Sequence, residues 1–283
     1  MFCLSTSKMS KWYIKIFFFV LIVFVYVNNK VLASSPDPHT PAPISANNNL
    51  EQSNEPENSL FCTDPEEIRR AIELMNEAVI HLQYHATSTE EYELISISNN
   101  GTSAYVKKHG GHTNIEKLNN KIPDPNKYKT IIKLLCDLNR SQIIGGRIVT
   151  GKVARVYTPN LVMVQKRYRS LCESSQKYLY ALATKVEIAE NTTVIVFTSA
   201  NINDHNRADK KFYKNTILES ANSFKTEVNS EVDIRNGELK KMFVNLFGFL
   251  IKKEDEHVDF TCVSSIYDST SNSLNPFTKL CRE

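Results

Sequence analysis

The chain is poor in the short motifs that mark most enzymes. It has no Gly-x-Ser-x-Gly elbow, no Gly-x-Gly-x-x-Gly fingerprint and no phosphate-binding Gly-Lys-Ser loop. Serine hydrolysis, dinucleotide binding and P-loop chemistry therefore lack their local signature. Cysteine is sparse and scattered: six residues with no Cys-x-x-Cys pair, which argues against a zinc site and excludes a disulfide-dense mini-scaffold. No apolar run approaches the roughly 20 residues a membrane-spanning helix needs. The longest, Ile16–Val27, has twelve. A single tryptophan, Trp12, falls in that same N-terminal region.

What is present begins with a leader. Lys8, Lys11 and Lys15 precede the apolar run, and Asn28-Asn29-Lys30 and Val31-Leu32-Ala33 follow it. This is the layout of a secretory signal peptide, so residues 1–33 are expected to be removed and the remainder to enter the secretory pathway. Residues 1–33 hold four lysines and no acid while the whole chain is at +3, which leaves the mature protein at −1. The apparent basicity belongs to the leader and argues for no nucleic-acid partner. Without Cys3 five cysteines remain, Cys62, Cys136, Cys172, Cys262 and Cys281. An odd number leaves at least one thiol outside any intramolecular disulfide. Residues 34–61 are rich in Pro, Asn and Ser with hardly an apolar cluster, and cannot bury enough surface to offset ordering, so they read as a disordered linker. One ordered domain is expected over 62–283, long enough for a sizeable core.

Within it, Asp64 as cap, Pro65 at the first helical position and Glu67 completing a capping box open a helix. Ile68, Ala71, Ile72, Met75, Ala78, Val79 and Leu82 continue it at three- and four-residue steps to about Tyr84. Short strands are expected at 92–97 and 103–107, and a second helix from Asp124-Pro125 with Tyr128, Ile131, Ile132, Leu135 and Leu138 on one face. From Gly145-Gly146 onward the period is two, with strands at 147–157, 161–168, 177–189, 192–202, 243–252 and 257–266. Hairpins in series behind a helix make the class α+β with an antiparallel sheet.

Two hairpins suggest an apolar face. Closing the last pair of strands over Lys253–Glu256 sets Phe249 opposite Phe260, Phe247 opposite Cys262 and Ile251 opposite Val258. A two-residue turn at Glu190-Asn191 puts Tyr180, Leu182, Val186, Ile195 and Phe197 on one side; a three-residue turn would exchange Ile195 and Phe197 for Val194 and Val196. Other constellations read as structural. His81 and His85, four apart, lack the intervening glutamate of a zinc hydrolase and suit the negative end of the helix as cations. The basic run Gln165–Arg169 reads as a solvated strand end. The long segment from Asp204 to Lys241 is expected either to border a ligand site as a lid or to be a surface excursion unrelated to ligand.

Five stretches resemble the fam-a family of rodent malaria parasites: LMNEAVIHLQYHATS, VARVYTPNLVMVQKRYRS, SQKYLYALATKVEIAENTTVIVFTSANINDHN, KNTILESANSFKTEVNSEVDIRNGELKKMFVNLFGFLIKK and HVDFTCVSSI. The resemblance runs from about Cys62 to Ile266. It implies a lipid-transfer domain of the steroidogenic-acute-regulatory-related (START) type, a helix-grip fold in which a curved antiparallel sheet wraps a C-terminal helix with a lipid tunnel between them. It also implies a non-catalytic protein without cofactor or metal, exported toward the host cell or parasitophorous vacuole. Its ligand would be phospholipid or a similar lipid, and it would meet membranes transiently. The tunnel-lining residues expected on this basis are Tyr178, Tyr180, Leu182, Val186, Ile195, Phe197, Phe247, Phe249, Ile251 and Phe260. Two features depart from the family pattern: the stretch after Ile266 is polar and broken by Pro276, so the terminal helix is expected to be short or missing, and Leu134-Leu135-Cys136 stands where such domains often hold a Trp. The departure keeps an alternative open, a host-facing interaction protein on a START scaffold that no longer binds lipid.

Overall fold

A computed structural model describes residues 60–110, 113–138, 141–144, 147–170 and 176–268. The expected leader, the linker up to residue 59 and the shortened C-terminal helix, and with them Cys172 and Cys281, lie outside the described residues. Leu60 and Phe61, expected in the linker, meet the chain at Val156, where the Leu60 carbonyl accepts from the Val156 N–H at 2.8 Å and Phe61 bridges the same residue. Helix α1 (Pro65–Thr87) leads into strands β1 (Glu93–Ile97), β2 (Ser103–His109) and β3 (Thr113–Pro123). Helix α2 (Lys127–Cys136) follows, then β4 (Gln142–Ile144), β5 (Arg147–Thr158), β6 (Leu161–Ser170), β7 (Gln176–Ala189) and β8 (Thr192–Thr198). After β9 (Asn201–Asn203) an irregular excursion contains a 3-10 turn (Glu219–Asn222), β10 (Lys225–Glu227) and the short α3 (Val232–Arg235). Strands β11 (Lys240–Lys253) and β12 (His257–Asp268) complete the described chain. Ten strands form one sheet in the order β1-β2-β3-β12-β11-β8-β7-β6-β5-β4, while β9 and β10 pair separately in parallel. This is the α+β architecture the sequence implies.

The first helix starts as expected and then departs. The Asp64 carboxylate accepts from the Glu66 and Glu67 backbone N–H groups at 2.9 and 3.4 Å, satisfying donors the first turn would otherwise orphan. Glu67 does not close a capping box. Its carboxylate accepts instead from Arg155 at 2.7 Å, the Tyr157 hydroxyl at 2.8 Å and the Thr226 hydroxyl at 2.7 Å. Burial works against the charge, but these bonds outweigh it and hold the carboxyl below its usual range. The first turn of α1 is thereby tied to β5 and β10.

Strand register settles which side chains share a face. Strands β11 and β12 pair Phe249 with Cys262, Phe247 with Ser264 and Ile251 with Phe260. The expected pairing was two residues away, and because the side-chain period is two the faces are unchanged. The β7–β8 hairpin is different. Its turn has two residues, with Ala189 opposite Thr192, yet a bulge between Glu187 and Ala189 shifts everything beyond it. Val186 then pairs with Val194 and Thr184 with Val196, while Ile195 and Phe197 pair with Lys185 and Ala183. One extra residue sends Ile195 and Phe197 to the opposite side of the sheet from Tyr180, Leu182 and Val186. Strand β3 went unread in the sequence. Its run Thr113–Pro123 mixes Glu116, Lys117, Asn119 and Asn120 among the apolar residues, but eight of its residues pair with β12.

Both faces of the sheet are buried. Helix α1 packs across β5, β7, β8, β11 and β12, with Leu74, Met75, Ala78, Val79 and Leu82 in one cluster with Tyr178, Tyr180, Leu182, Val194 and Val196. Ile72, expected inward, is half exposed and Leu74 takes its place. The excursion from Asp204 to Lys241 joins the same cluster through Ile217, Leu218, Ala221, Phe224, Val228 and Ile234. It is a packed wall of the α1 side. Glu231 and Asp233 hold it down by ion pairs to Arg167 at 3.0 and 2.6 Å. Gln165, which donates to the Tyr180 hydroxyl and to Glu231 at 2.6 Å, is buried, so the Gln165–Arg169 run is a docking rail rather than a solvated strand end. On the other face α2 packs on β8 and β11. There Tyr128 and Ile131 join Val164, Leu179, Ala181, Ile195, Phe249, Ile251 and Phe260.

Close packing of β11 on β8 depends on Gly248. A Cβ at that position would sit 2.3 Å from the Ile195 carbonyl oxygen, 2.9 Å from Val196 Cα and 3.0 Å from a Leu82 methyl. Two of these neighbours are backbone and cannot swing away. Gly248→Ala is expected to destabilise the fold by about 1–3 kcal/mol or more, read as a lower urea midpoint with the slope unchanged.

Candidate functional site

The ten expected tunnel residues do not line one surface; the sheet divides them. Tyr178, Tyr180 and Leu182 belong to the α1-facing core, with Val186 packed against it. The Tyr178 hydroxyl donates to Asp204 at 2.9 Å and accepts from Asn206 at 3.0 Å, so that tyrosine is fixed as part of the wall around the excursion. Ile195, Phe197, Phe249, Ile251 and Phe260 lie on the other face, with Phe247 packed against them. The correction follows from the bulge at Ile188, which sequence periodicity does not reveal.

On that second face the core opens into a pocket of about 150 Å³. Its floor is Val162 of β6, Ala183 of β7 and Ile195 and Phe197 of β8. Leu135 and Cys136 at the end of α2, with Leu138 just beyond, form one wall. The Pro159-Asn160 turn between β5 and β6, with Thr184 and Lys185, forms the rim. Of the expected residues only Ile195 and Phe197 reach it. The clue available in sequence was the small pair Ala181 and Ala183, which leaves room on a face otherwise lined by larger groups. Phe197 connects the pocket to an aromatic row: its ring centroid is 5.6 Å from Phe247, Phe247 is 5.1 Å from Phe249, and Phe249 is 5.4 Å from Phe260.

The pocket is held open by specific contacts. The Tyr128 hydroxyl bonds Thr193 at 2.8 Å, fixing the start of α2 on β8. At the other end Lys166 donates to the Leu138 carbonyl at 3.0 Å, and burial lowers its amine below the ordinary lysine range. That reach crosses Gly151, where a Cβ would lie 2.6 Å from the ammonium and 2.5 Å from the same carbonyl. At the rim the Asn160 carbonyl accepts from the Lys185 N–H at 3.2 Å and the Thr184 hydroxyl at 2.9 Å. Among the described residues Lys185 is the one charged residue lining the pocket. Burial raises the Cys136 thiol, with Lys185 pulling weakly the other way.

The histidines belong elsewhere. His85 is buried at the end of α1, its Nδ1 3.0 Å from the Tyr92 hydroxyl. Lys117 donates to the Ser88 carbonyl and lies 4.0 Å from the Tyr92 ring centroid, while Lys107 pairs with Glu91 at 2.9 Å. Burial first, then electrostatic repulsion from the side chains of His81, Lys107, His109 and Lys117, push His85 down to about 4. It is therefore neutral at pH 7, not the helix-capping cation expected; His81 stays at the surface, 3.8 Å from Glu77.

No family model and no curated protein matches the sequence. Solved structures match the fold. The human StAR-related lipid transfer protein 5 aligns with a TM-score of 0.51 at 9% identity, covering 76% of this chain and 92% of that one. Human STARD10 aligns at 0.48 and 13% identity over 70% and 69% of the two chains. The human StarD13 (DLC2) lipid transfer and protein localization domain aligns at 0.43 and 15% identity over 73% and 94%. The chain has the START-type helix-grip fold, a large curved antiparallel sheet with few helices. At these identities the likeness is one of fold.

Burying His85 neutral has a consequence for stability. Its folded value near 4 lies below the ordinary 6.5, so between those limits the unfolded chain binds a proton that the folded one refuses. The stabilisation is complete above about pH 6.5 and is lost as pH falls toward 4, by on the order of 3 kcal/mol in all. Glu231 acts in a lower window. Burial opposes its charge, but Lys152 and Gln165 hold it down to about 2, so its contribution is lost only below about pH 4.5. Unfolding free energy measured from pH 7 to 4 should fall, and His85→Gln should flatten the slope between pH 6.5 and 4.5. An unchanged slope would mean that His85 is protonated in the fold.

Proposed function

We propose that this protein binds lipid and transfers it between membranes by mass action, without chemistry of its own, carrying phospholipid or a similar lipid and touching membranes transiently. It would do so as a fam-a member, secreted through its leader and exported to the host cell or parasitophorous vacuole. The observation that carries the reading is the pocket on the α2 side, an apolar slot between Val162, Ala183 and Ile195 that runs into the row Phe197–Phe247–Phe249–Phe260. Each methylene moved from water into such a slot contributes about 0.8 kcal/mol. A dry cavity of about 150 Å³ is the size that holds one benzene ring, so the slot takes the end of an acyl chain as it stands. Seating more chain requires α2 and the Pro159-Asn160 turn to lift from the sheet. These are short, peripheral elements, unlike the packed α1 side.

A second reading, an interaction protein that has lost its ligand, draws on exposed apolar residues at the other end of the molecule. Ile80 on α1 and Leu94 and Ile97 on edge strand β1 are 66, 53 and 63% exposed. Edge strands with apolar side chains invite a partner chain.

Native mass spectrometry of the secreted protein, followed by phospholipid transfer between liposomes, separates the two. On the carrier reading lipid copurifies and transfer exceeds the spontaneous rate, and Ala183→Leu or Val162→Phe, which fill the slot, abolish both while the melting temperature moves by a few degrees. Neither copurified lipid nor transfer by the wild-type protein would leave the interaction reading.

A further inference from the structure

The excursion that walls the α1 side turns outward over one short stretch. From His205 to Thr216 the chain carries four cations, Arg207, Lys210, Lys211 and Lys214, against one carboxylate, Asp209. All four cations are exposed, and among the described residues none of them is in an ion pair. In their midst Phe212 is 82% exposed, more than any other large apolar side chain among the described residues. The backbone that presents it is fastened on both sides. The next ring, Tyr213, turns inward and stacks on Phe243 of β11, centroids 5.4 Å apart and planes 11° apart, with the Tyr267 ring edge-on at 6.0 Å. Ahead of the tip, the Asn206 side chain accepts from the Ala208 and Asp209 N–H groups at 3.0 and 3.1 Å, and Asp209 accepts from the Lys211 N–H at 3.1 Å. Behind it, the buried Asn215 donates to the Asn245 carbonyl at 2.9 Å.

A single exposed phenylalanine is ordinary on a protein surface. One held out on a fixed backbone between lysines narrows the choice of partner. A protein interface builds its core from a contiguous apolar patch and is depleted of lysine there, which is the reverse of this tip. A bilayer needs no such patch. Its interfacial zone accepts an aromatic ring, and its anionic headgroups attract ammonium groups on flexible stems. The charge is also local. Four cations against one carboxylate leave residues 205–216 at +3 while the mature chain is at −1, so an anionic surface draws this end of the molecule toward itself.

We propose that the turn Lys210–Lys214 docks the protein on anionic membranes, Phe212 entering the headgroup zone and Lys210, Lys211 and Lys214 lying on the lipid phosphates and carboxylates. This gives the transient membrane contact of the carrier reading a definite surface, and rests on that reading for its purpose alone. Phe243, the platform under Tyr213, lies four residues along β11 from Phe247 beside the pocket, about 13 Å. Docking and lipid uptake can therefore be altered separately.

The test is cosedimentation of the secreted protein with vesicles of phosphatidylcholine alone or with about one-third phosphatidylserine, at about 0.1 and 0.5 M salt. Binding should require phosphatidylserine and weaken as salt rises. Phe212→Ala should weaken it about ten-fold, and replacing Lys210, Lys211 and Lys214 together by Gln about a hundred-fold. The melting temperature should stay put in both, because these side chains are exposed. Phe212→Trp should keep the affinity and report the insertion. The other tryptophan, Trp12, lies in the leader, so in the secreted protein a blue-shifted emission on vesicles comes from the tip. Ala183→Leu, which fills the pocket, should leave vesicle binding as it is. Vesicle binding that is absent, indifferent to both tip variants, or lost in Ala183→Leu overturns the docking assignment, whether or not lipid copurifies. Tip-dependent binding to heparin or an acidic protein without binding to vesicles overturns it in favour of a soluble polyanion. Tip-dependent vesicle binding by a protein that neither copurifies nor transfers lipid upholds docking and overturns the carrier reading instead.

Discussion

A sheet with apolar side chains on both faces has to be covered twice, and the rest of this structure follows from that requirement. Strand β8 is buried at every position from Thr192 to Thr198, and β7 at eight successive residues from Lys177 to Thr184. A wet face of that size would cost about 25 cal/mol for each square ångström of apolar surface. The first cover is α1, laid across five strands, with a Leu82 methyl resting over Gly248. The second is assembled from smaller parts, among them α2, and it is there that the packing leaves a pocket.

The two covers are fastened by different physics. On the α1 side buried and half-buried polar groups lock the layers in one arrangement: Glu67 with Arg155, Tyr157 and Thr226; Arg167 with Glu231 and Asp233; Asp204 with Tyr178 and Lys241. Charge-assisted bonds of this kind have few acceptable geometries, so they resist sliding as well as separation. The bulge at Asn245 serves the same end. Its carbonyl, turned out of the ladder, accepts from Thr198 and from Asn215 at 2.9 Å, which pins the start of the excursion to the sheet. The α2 side is held chiefly by apolar contact, with the bonds of Tyr128 and Lys166 at its two ends. A ligand that exchanges apolar contact for apolar contact meets less resistance there, which is why the carrier reading and the pocket fall on the same face.

Much of this was legible in the residues. Asp64-Pro65 and the three- and four-residue steps after it place α1 to within a few residues, because capping and amphipathicity are local. The alternation in β5 to β8, β11 and β12 is local too, and the β11–β12 face survived a mistaken register because an even slip preserves it. Sequence could not supply the one-residue bulge at Ile188, and that was enough to move Ile195 and Phe197 across the sheet. It also passed over β3, where Lys117 and Glu116 are buried by their neighbours despite their charge.

By itself, then, the sequence determined which segments become helices and strands and that some stretches carry apolar groups on both faces, since those properties rest on residues close together along the chain. Only the tertiary structure decided which face each set of side chains joins, that Glu67 serves a sheet rather than its own cap, and that residues 204–241 wall the core instead of covering a mouth. The meeting of Leu135, Val162, Ala183 and Lys185 around one space also had to wait for it. Those outcomes depend on strand register and on partners far apart in sequence, where a single inserted residue reverses the answer.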